Sequence, residues 1–219
     1  EAAAAEELRE NFADEPKFSV PEVDWQRTSE HVLTLERVSG IRVDDPSAIK
    51  AKGLDPVDLV KISAESFFRM VFHNGFFHAD MHPGNLFIAD DGTLIAIDFG
   101  IMGRVDPRTR RHLGEMLLGF LTRDYARVAE IHMEAGFVPT TKDVGAFAQA
   151  CRSIAEPILG KPLNEISLAR LLGQLFQITE TFEMQTQPQL LLLQKSMLLA
   201  EGVGRVLAPN VNMWELARP

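Results

Sequence analysis

Apolar residues recur at Val57, Val60, Ile62, Phe67, Phe68, Val71 and Phe72, close to the 3.6-residue helical period, and predict a core-facing helix over 56–73 that stops at Asn74-Gly75. Two short apolar runs follow at 85–89 and 94–97, joined by Asp90-Asp91-Gly92-Thr93, the signature of a β-hairpin. Upstream, the Ala- and Glu-rich stretch 1–12 reads as a helix without an N-cap, already in progress in a chain that continues further upstream, and Pro16 ends it. The segments 18–23 and 31–36 read as two short strands separated by a polar turn. Ser39-Gly40 breaks the second, and Asp44-Asp45-Pro46-Ser47 forms a polar connection to the next helix. Beyond Pro107 the pattern is helical throughout: 108–122, 124–135, 144–158, 166–183 and 189–207, with breaks at Gly136, Pro139, Gly160-Lys161-Pro162 and Pro188. The sum is an α+β chain, mainly helical, with no internal repeat.

At 219 residues and 46% hydrophobic content, the chain can bury one sizeable core. A net charge of -9, with no polybasic cluster, argues against nucleic acid as a partner, since phosphate backbones demand clustered Lys and Arg. The single cysteine, Cys151, excludes an internal disulfide, fits a reducing cytoplasmic compartment and reads as a small buried helix residue. The opening Glu1-to-Glu7 stretch has neither the basic start nor the apolar centre of a signal peptide. The longest apolar run, 190–200, is interrupted by Gln194 and Lys195 and is shorter than the roughly 20 residues of a membrane span. Leu190 to Leu193, Met197 to Leu199 and Val203 therefore read as core packing of a helical lobe, with a membrane- or partner-facing strip as the alternative. Met133, Met184 and Met197 read as gap-filling core residues.

The chemistry concentrates at the edges of the hairpin. His78-Ala79-Asp80-Met81-His82-Pro83-Gly84-Asn85 precedes it and Asp98-Phe99-Gly100 follows it, so the fold-back brings Asn85 and Asp98 towards one another. A carboxylate and a carboxamide at one mouth are the hard-oxygen ligands that magnesium takes alongside substrate phosphates and water. Asp80, one loop earlier, is placed to orient an attacking hydroxyl or water, or to accept its proton. Asp-x4-Asn and Asp-Phe-Gly in this order, separated by a hairpin, match the catalytic loop and metal loop of kinases. Two surface acids and an Asn capping turns would be the plain alternative. A zinc site from His73, His78, Asp80 and His82 is a rival whose spacing fits no common zinc pattern.

The string Phe76-Phe-His-Ala-Asp-Met-His-Pro-Gly-Asn-Leu-Phe87 with Ile97-Asp-Phe-Gly-Ile-Met-Gly103 closely resembles the UbiB (aarF-domain) family of atypical protein-kinase-like proteins. Further matches are Glu1-Ala-Ala-Ala4, Val20-Pro-Glu-Val23, Glu36-Arg-Val-Ser-Gly40, Gln187-Pro-Gln-Leu-Leu-Leu-Leu-Gln-Lys195 and Glu201-Gly-Val-Gly-Arg205. The resemblance implies a protein-kinase-like fold: residues 1–40 as a remnant of the small lobe with its hinge, and 41–219 as the helical large lobe carrying the catalytic and metal loops. It implies that Asp80 is the catalytic-loop aspartate and that Asn85 and Asp98 hold Mg2+. It makes Glu1 the helix glutamate that pairs with a strand lysine, which this chain lacks, and Glu36, Arg37 and Val38 the hinge at the adenine edge of ATP or ADP.

The implied activity is that of an ATP-dependent atypical kinase or ATPase supporting ubiquinone biosynthesis, whose partners are other ubiquinone-biosynthesis proteins, polyprenylated precursors and a membrane surface. Its implied location is cytoplasmic, at the inner membrane, through segments outside this chain. Ala79 stands where many kinases have Arg, and no Ala-Pro-Glu follows Gly100. Control by loop phosphorylation and a peptide-substrate platform are therefore not expected. Two other readings stay open: a nucleotide-gated scaffold or lipid-extraction module, and a small-molecule phosphotransferase.

Overall fold

The computed structural model describes residues 1–161, 165, 174, 177–185, 188–208 and 210. In chain order the elements are α1 (Ala2–Asn11), β1 (Phe18–Ser19), β2 (Ile41–Arg42), α2 (Pro46–Ala51), α3 (Pro56–Phe68), a π-helical turn (Arg69–Asn74), β3 (Phe76–His78), a 3-10 turn (Pro83–Asn85), β4 (Leu86–Ile88), β5 (Leu94–Ala96), β6 (Met102–Arg104), α4 (Pro107–Thr122), α5 (Tyr125–Glu134), α6 (Val144–Ala155) and α7 (Pro188–Leu207).

Aspartates start the helices. The Asp45 side chain accepts from the Ala48 N–H, Asp55 from Val57, Asp106 from Arg108 and Thr109, Asp124 from Arg127 and Asp143 from Ala146. In the first three, proline follows the aspartate at the first helical position, where its fixed φ suits the helix and its missing N–H costs nothing. Part of the chain's negative charge is thus spent on orphan amides. Asp45 also turns the expected polar connection at 44–47 into the start of α2. The helix expected over 56–73 forms as α3 and widens into the π-helical turn before Gly75. Gly75 sits at φ 67°, and a Cβ there would also meet the Val105 carbonyl oxygen at 2.7 Å, so glycine is required on both grounds.

The hairpin forms as β4 and β5, in register Leu86↔Ala96, Phe87↔Ile95, Ile88↔Leu94. It is the centre of a four-stranded sheet ordered β1-β5-β4-β2, with β1 parallel to β5 and β2 antiparallel to β4. The strand expected over 31–36 is replaced by isolated bridges, Val23↔Leu35 and Ser29↔Val32. Thr28 accounts for part of this: its hydroxyl accepts from the Thr34 N–H and donates to the Asp24 carbonyl, so side chains take over part of the pairing. A second, two-stranded sheet joins β3 to β6 and pairs Phe77 with Gly103.

One apolar core joins α1 (Ala5, Leu8), the sheet (Phe18, Leu86, Ile88, Leu94), α3 (Val60, Phe67) and the inner face of α7 (Leu193, Val203, Leu207). A second, around Tyr125, Val128, Phe147 and Cys151, unites α5 and α6. Helix α7 departs from the all-core expectation. Its buried positions Leu193, Ser196, Ala200, Val203 and Leu207 follow one helical face, while Leu191, Met197 and Leu198 point to solvent. Met133 and Met184 pack against the second core. The helix expected over 166–183 falls mostly outside the described residues; its end, 177–181, is helical.

Candidate active site

A buried histidine bridges the two candidate segments, which backbone bonds from Ala79 N–H to the Ile101 carbonyl and from Ile97 N–H to the Asn85 carbonyl also join. His78, fully buried at the end of β3, has both ring nitrogens engaged: Nδ1 accepts the Asp80 N–H at 3.1 Å, and Nε2 lies 3.0 Å from the Ile97 carbonyl oxygen. Because Nδ1 accepts, the proton sits on Nε2 and is donated to Ile97. Burial pushes the imidazole pKa below its ordinary value, against the opposing pull of the Ile97 carbonyl and of the Asp80 and Asp98 charges. The neutral tautomer that this bridge needs is therefore the favoured one.

The loop from Asp80 to Asn85 is braced from within. The Asn85 side-chain amide donates to the Asp80 carbonyl at 3.1 Å, and His82 Nδ1 accepts from the Gly84 N–H at 3.0 Å. Ile97 N–H donates to the Asn85 carbonyl at 2.9 Å, extending the hairpin register by one pair and setting Asp98 just past Asn85 on the opposite strand. Asp98 itself has φ 63°, a left-handed conformation that costs a non-glycine residue about 1 kcal/mol and recurs where function aims a side chain. Its Oδ1 accepts from the Gly100 N–H at 3.4 Å. Asn85 is half-buried and Asp98 exposed, and both lie at the base of the same hairpin. With the Asn85 NH2 committed to Asp80, its oxygen is the end left for a cation, and this donor chemistry fits magnesium.

Helix α1 brings in Glu1. A Cβ built on Gly100 would come within 4.0 Å of Glu1 Oε2 and 3.4 Å of Asp98 Oδ1, so the two carboxylates flank the same glycine. Burial of Ala5 and Leu8 fixes the helix, and Glu7 pairs with Arg104 of β6 at 2.8 Å. Glu36, Arg37 and Val38 are not part of this cluster. Their segment is tied back by the Glu36 N–H to the Glu22 carbonyl at 2.8 Å, and Glu36 lines a separate cavity of about 460 Å³ with Phe12, Phe18 and Glu22. The segment leads into Gly40, where a Cβ would strike the Ile88 carbonyl oxygen at 2.6 Å, and so runs tight against β4. The rival zinc reading loses its centre, because His78 has no lone pair to give, while His73 and His82 are exposed.

Two residues of the site had no role in the kinase-like reading of the sequence. His78 sits at the end of the buried strand Phe76-Phe77-His78, where a polar residue between apolar ones is the available signal. Lys195 of α7 makes an ion pair with Asp80, Nζ to Oδ1 at 2.9 Å; its signal is the charge interrupting the apolar run 190–200.

The family model of the ABC1 atypical kinase-like domain matches residues 1–132, more than half of the chain, and takes in every residue of the cluster except Lys195. The chain belongs to the ABC1 atypical kinase-like family. Its C-terminal part, residues 151–212, matches the UbiB helical domain. Curated relatives named "Probable protein kinase UbiB" are 45% identical in Pectobacterium carotovorum and 46% identical in Aeromonas salmonicida, each over all of this chain. The chain spans 41% of the length of these relatives. Among solved structures, Rv3197 of Mycobacterium tuberculosis, in a complex with erythromycin, aligns at a TM-score of 0.62 and 21% identity, over 99% of this chain and 56% of that one. At that identity the likeness speaks for the fold, which is α+β and kinase-like. Among the described residues no helix is long and apolar enough to cross a membrane.

Proposed function

We propose that this ABC1-family chain carries the magnesium-nucleotide and phosphoryl-transfer half of an ATP-dependent kinase or ATPase that supports ubiquinone biosynthesis. The observation that carries the reading is the His78 bridge, which locks the Asp80 loop to the strand preceding Asp98. Asn85 and Asp98 hold the cation, which when bound offsets the charge of the phosphate oxygens. Asp80 orients the attacking hydroxyl or water and takes up its proton. Glu1, beside Gly100, is the partner for a cationic group gripping the nucleotide phosphates, and the 36–38 segment meets the base. Residues 1–40 act as the small-lobe portion and 41–219 as the large lobe.

The ubiquinone role and its partners, from polyprenylated precursors to a membrane surface, are drawn from the relatives' name and the family likeness. The test is ATP turnover by the full-length protein. Asp80→Asn should lower kcat by about 10²-fold or more, the scale of general-base loss, with nucleotide affinity retained. Unchanged turnover would refute the catalytic reading and leave a nucleotide-gated scaffold.

A further inference from the structure

Phosphoryl transfer develops negative charge on the oxygens around the moving phosphorus, and kinase-like sites answer it with a cation beside the catalytic aspartate. The catalytic loop of this chain offers none. Between Asp80 and Asn85 there is no Lys or Arg, and His82 uses Nδ1 as an acceptor for the Gly84 N–H. Asp80, Asp98 and Glu1 all add negative charge. Arg42 approaches the loop beside Gly84, but Asp44 engages it through two hydrogen bonds at 2.9 and 2.7 Å.

The cation comes from 115 residues away. Lys195 Nζ lies 2.9 Å from Asp80 Oδ1, its side chain 49% exposed and that of Asp80 30% exposed. So exposed a pair contributes little to stability, and a long flexible lysine held there has a better use. Its placement is not accidental to α7, because the neighbouring Leu193 and Ser196 are buried and seat that turn against the first core. An ammonium has three donors. Asp80 takes one, which leaves two for a further acceptor such as a terminal phosphate.

We infer that Lys195 is the catalytic cation of the site: the ammonium stays on Asp80 and donates to the terminal phosphate of ATP, so the helical part of the chain completes the kinase-like part. The inference rests on the proposed nucleotide reading. In the step it serves, a hydroxyl or water oxygen forms a bond to the γ-phosphorus and its proton passes to Asp80. The bond from that phosphorus to the β–γ bridging oxygen breaks, and ADP leaves with the electron pair. Lys195 stabilises the non-bridging oxygens and holds Asp80 in line.

The experiment uses the full-length protein and compares wild type with Lys195→Met and Lys195→Arg. Calorimetry gives affinities for magnesium-ADP and for a magnesium complex of a non-hydrolysable ATP analogue, and kinetics gives kcat and KM for ATP. Lys195→Met should weaken the analogue about tenfold while leaving ADP binding and Tm unchanged, and should lower kcat about 10²-fold. Lys195→Arg should recover part of both. Equal analogue-to-ADP preference in wild type and Lys195→Met, with kcat within twofold, would overturn the role of Lys195 and leave the nucleotide site standing. A wild-type protein that binds neither nucleotide would overturn both.

Discussion

Two histidines, the fully buried His78 and the half-buried His132, have their pKa lowered by burial and pack in different regions of the molecule. They are used differently. In the α5–α6 region, His132 Nδ1 lies 2.7 Å from the Val128 carbonyl of its own helix, and its ring packs edge-on against Phe137 and Phe147. It behaves as a large apolar residue whose polar atom is satisfied locally. In the hairpin region, His78 reaches 19 residues along the chain to Ile97 and ties it to the Asp80 amide. The difference is one of reach: His78 joins two segments far apart in the chain, whereas His132 is satisfied within its own helix and packs against neighbouring rings.

The comparison breaks most readily at the histidines themselves. His78→Phe would leave the part-buried Asp80 N–H and Ile97 carbonyl without their partner, at about 2 kcal/mol for the two groups. His132→Phe should cost less than about 1 kcal/mol, since the Val128 carbonyl keeps its helical partner. Urea unfolding of the two variants tests the contrast, and equal losses would erase it.

A smaller effect is expected at the close contacts of each region. A Cβ on Gly103 would lie 2.2 Å from Phe77 Cζ in the cross-strand pair, and one on Gly119 would lie 2.6 Å from Val128 Cγ2 between α4 and α5. Gly103→Ala should cost about 2 kcal/mol, because a fully buried ring has nowhere to go. Gly119→Ala should cost less, because alanine regains about 1 kcal/mol of helix propensity. Thermal melts of the two variants decide this.

pH dependence sharpens the picture further. Both imidazoles titrate lower when folded than the ordinary value near 6.5, so the unfolded chain binds more protons below that pH. Stability should hold at pH 7 and fall as pH drops from about 6.5 towards 5. Removing either histidine should flatten that slope, and only His78 should carry nucleotide binding down with it. The smallest effect belongs to Cys151, whose thiol burial pushes up to about 12. It should resist an aromatic disulfide reagent at pH 8 until the protein is denatured, and fast labelling of the native protein would contradict the packing of α6.

The sequence made the hairpin legible because two apolar runs around Asp-Asp-Gly-Thr specify both pairing and turn. Most helices were legible from their period and from the Gly and Pro breaks between them; the short α2 was not. Residues 31–36 misled because alternating apolar residues looked like a strand, whereas Thr28 and Thr34 divert the backbone bonds to side chains. The two-residue strand β2 and the pairing of β3 with β6 carry too few residues for any period to register. The candidate set Asp80, Asn85 and Asp98 was drawn from local order. His78 and Lys195 could not be given roles, because their partners lie 19 and 115 residues away and only the folded chain brings them together. In α7, Leu191 and Leu198 followed hydrophobicity, but the helix face that they share turns to solvent.

The most direct measurement concerns the shared cation. Calorimetry of ADP binding to the full-length protein, with and without magnesium, should show tight binding that requires the metal in wild type. Asp98→Asn and Asn85→Ala should each abolish the magnesium dependence while leaving the fold intact by circular dichroism. Metal-dependent binding that survives both substitutions would mean that Asn85 and Asp98 do not hold the cation.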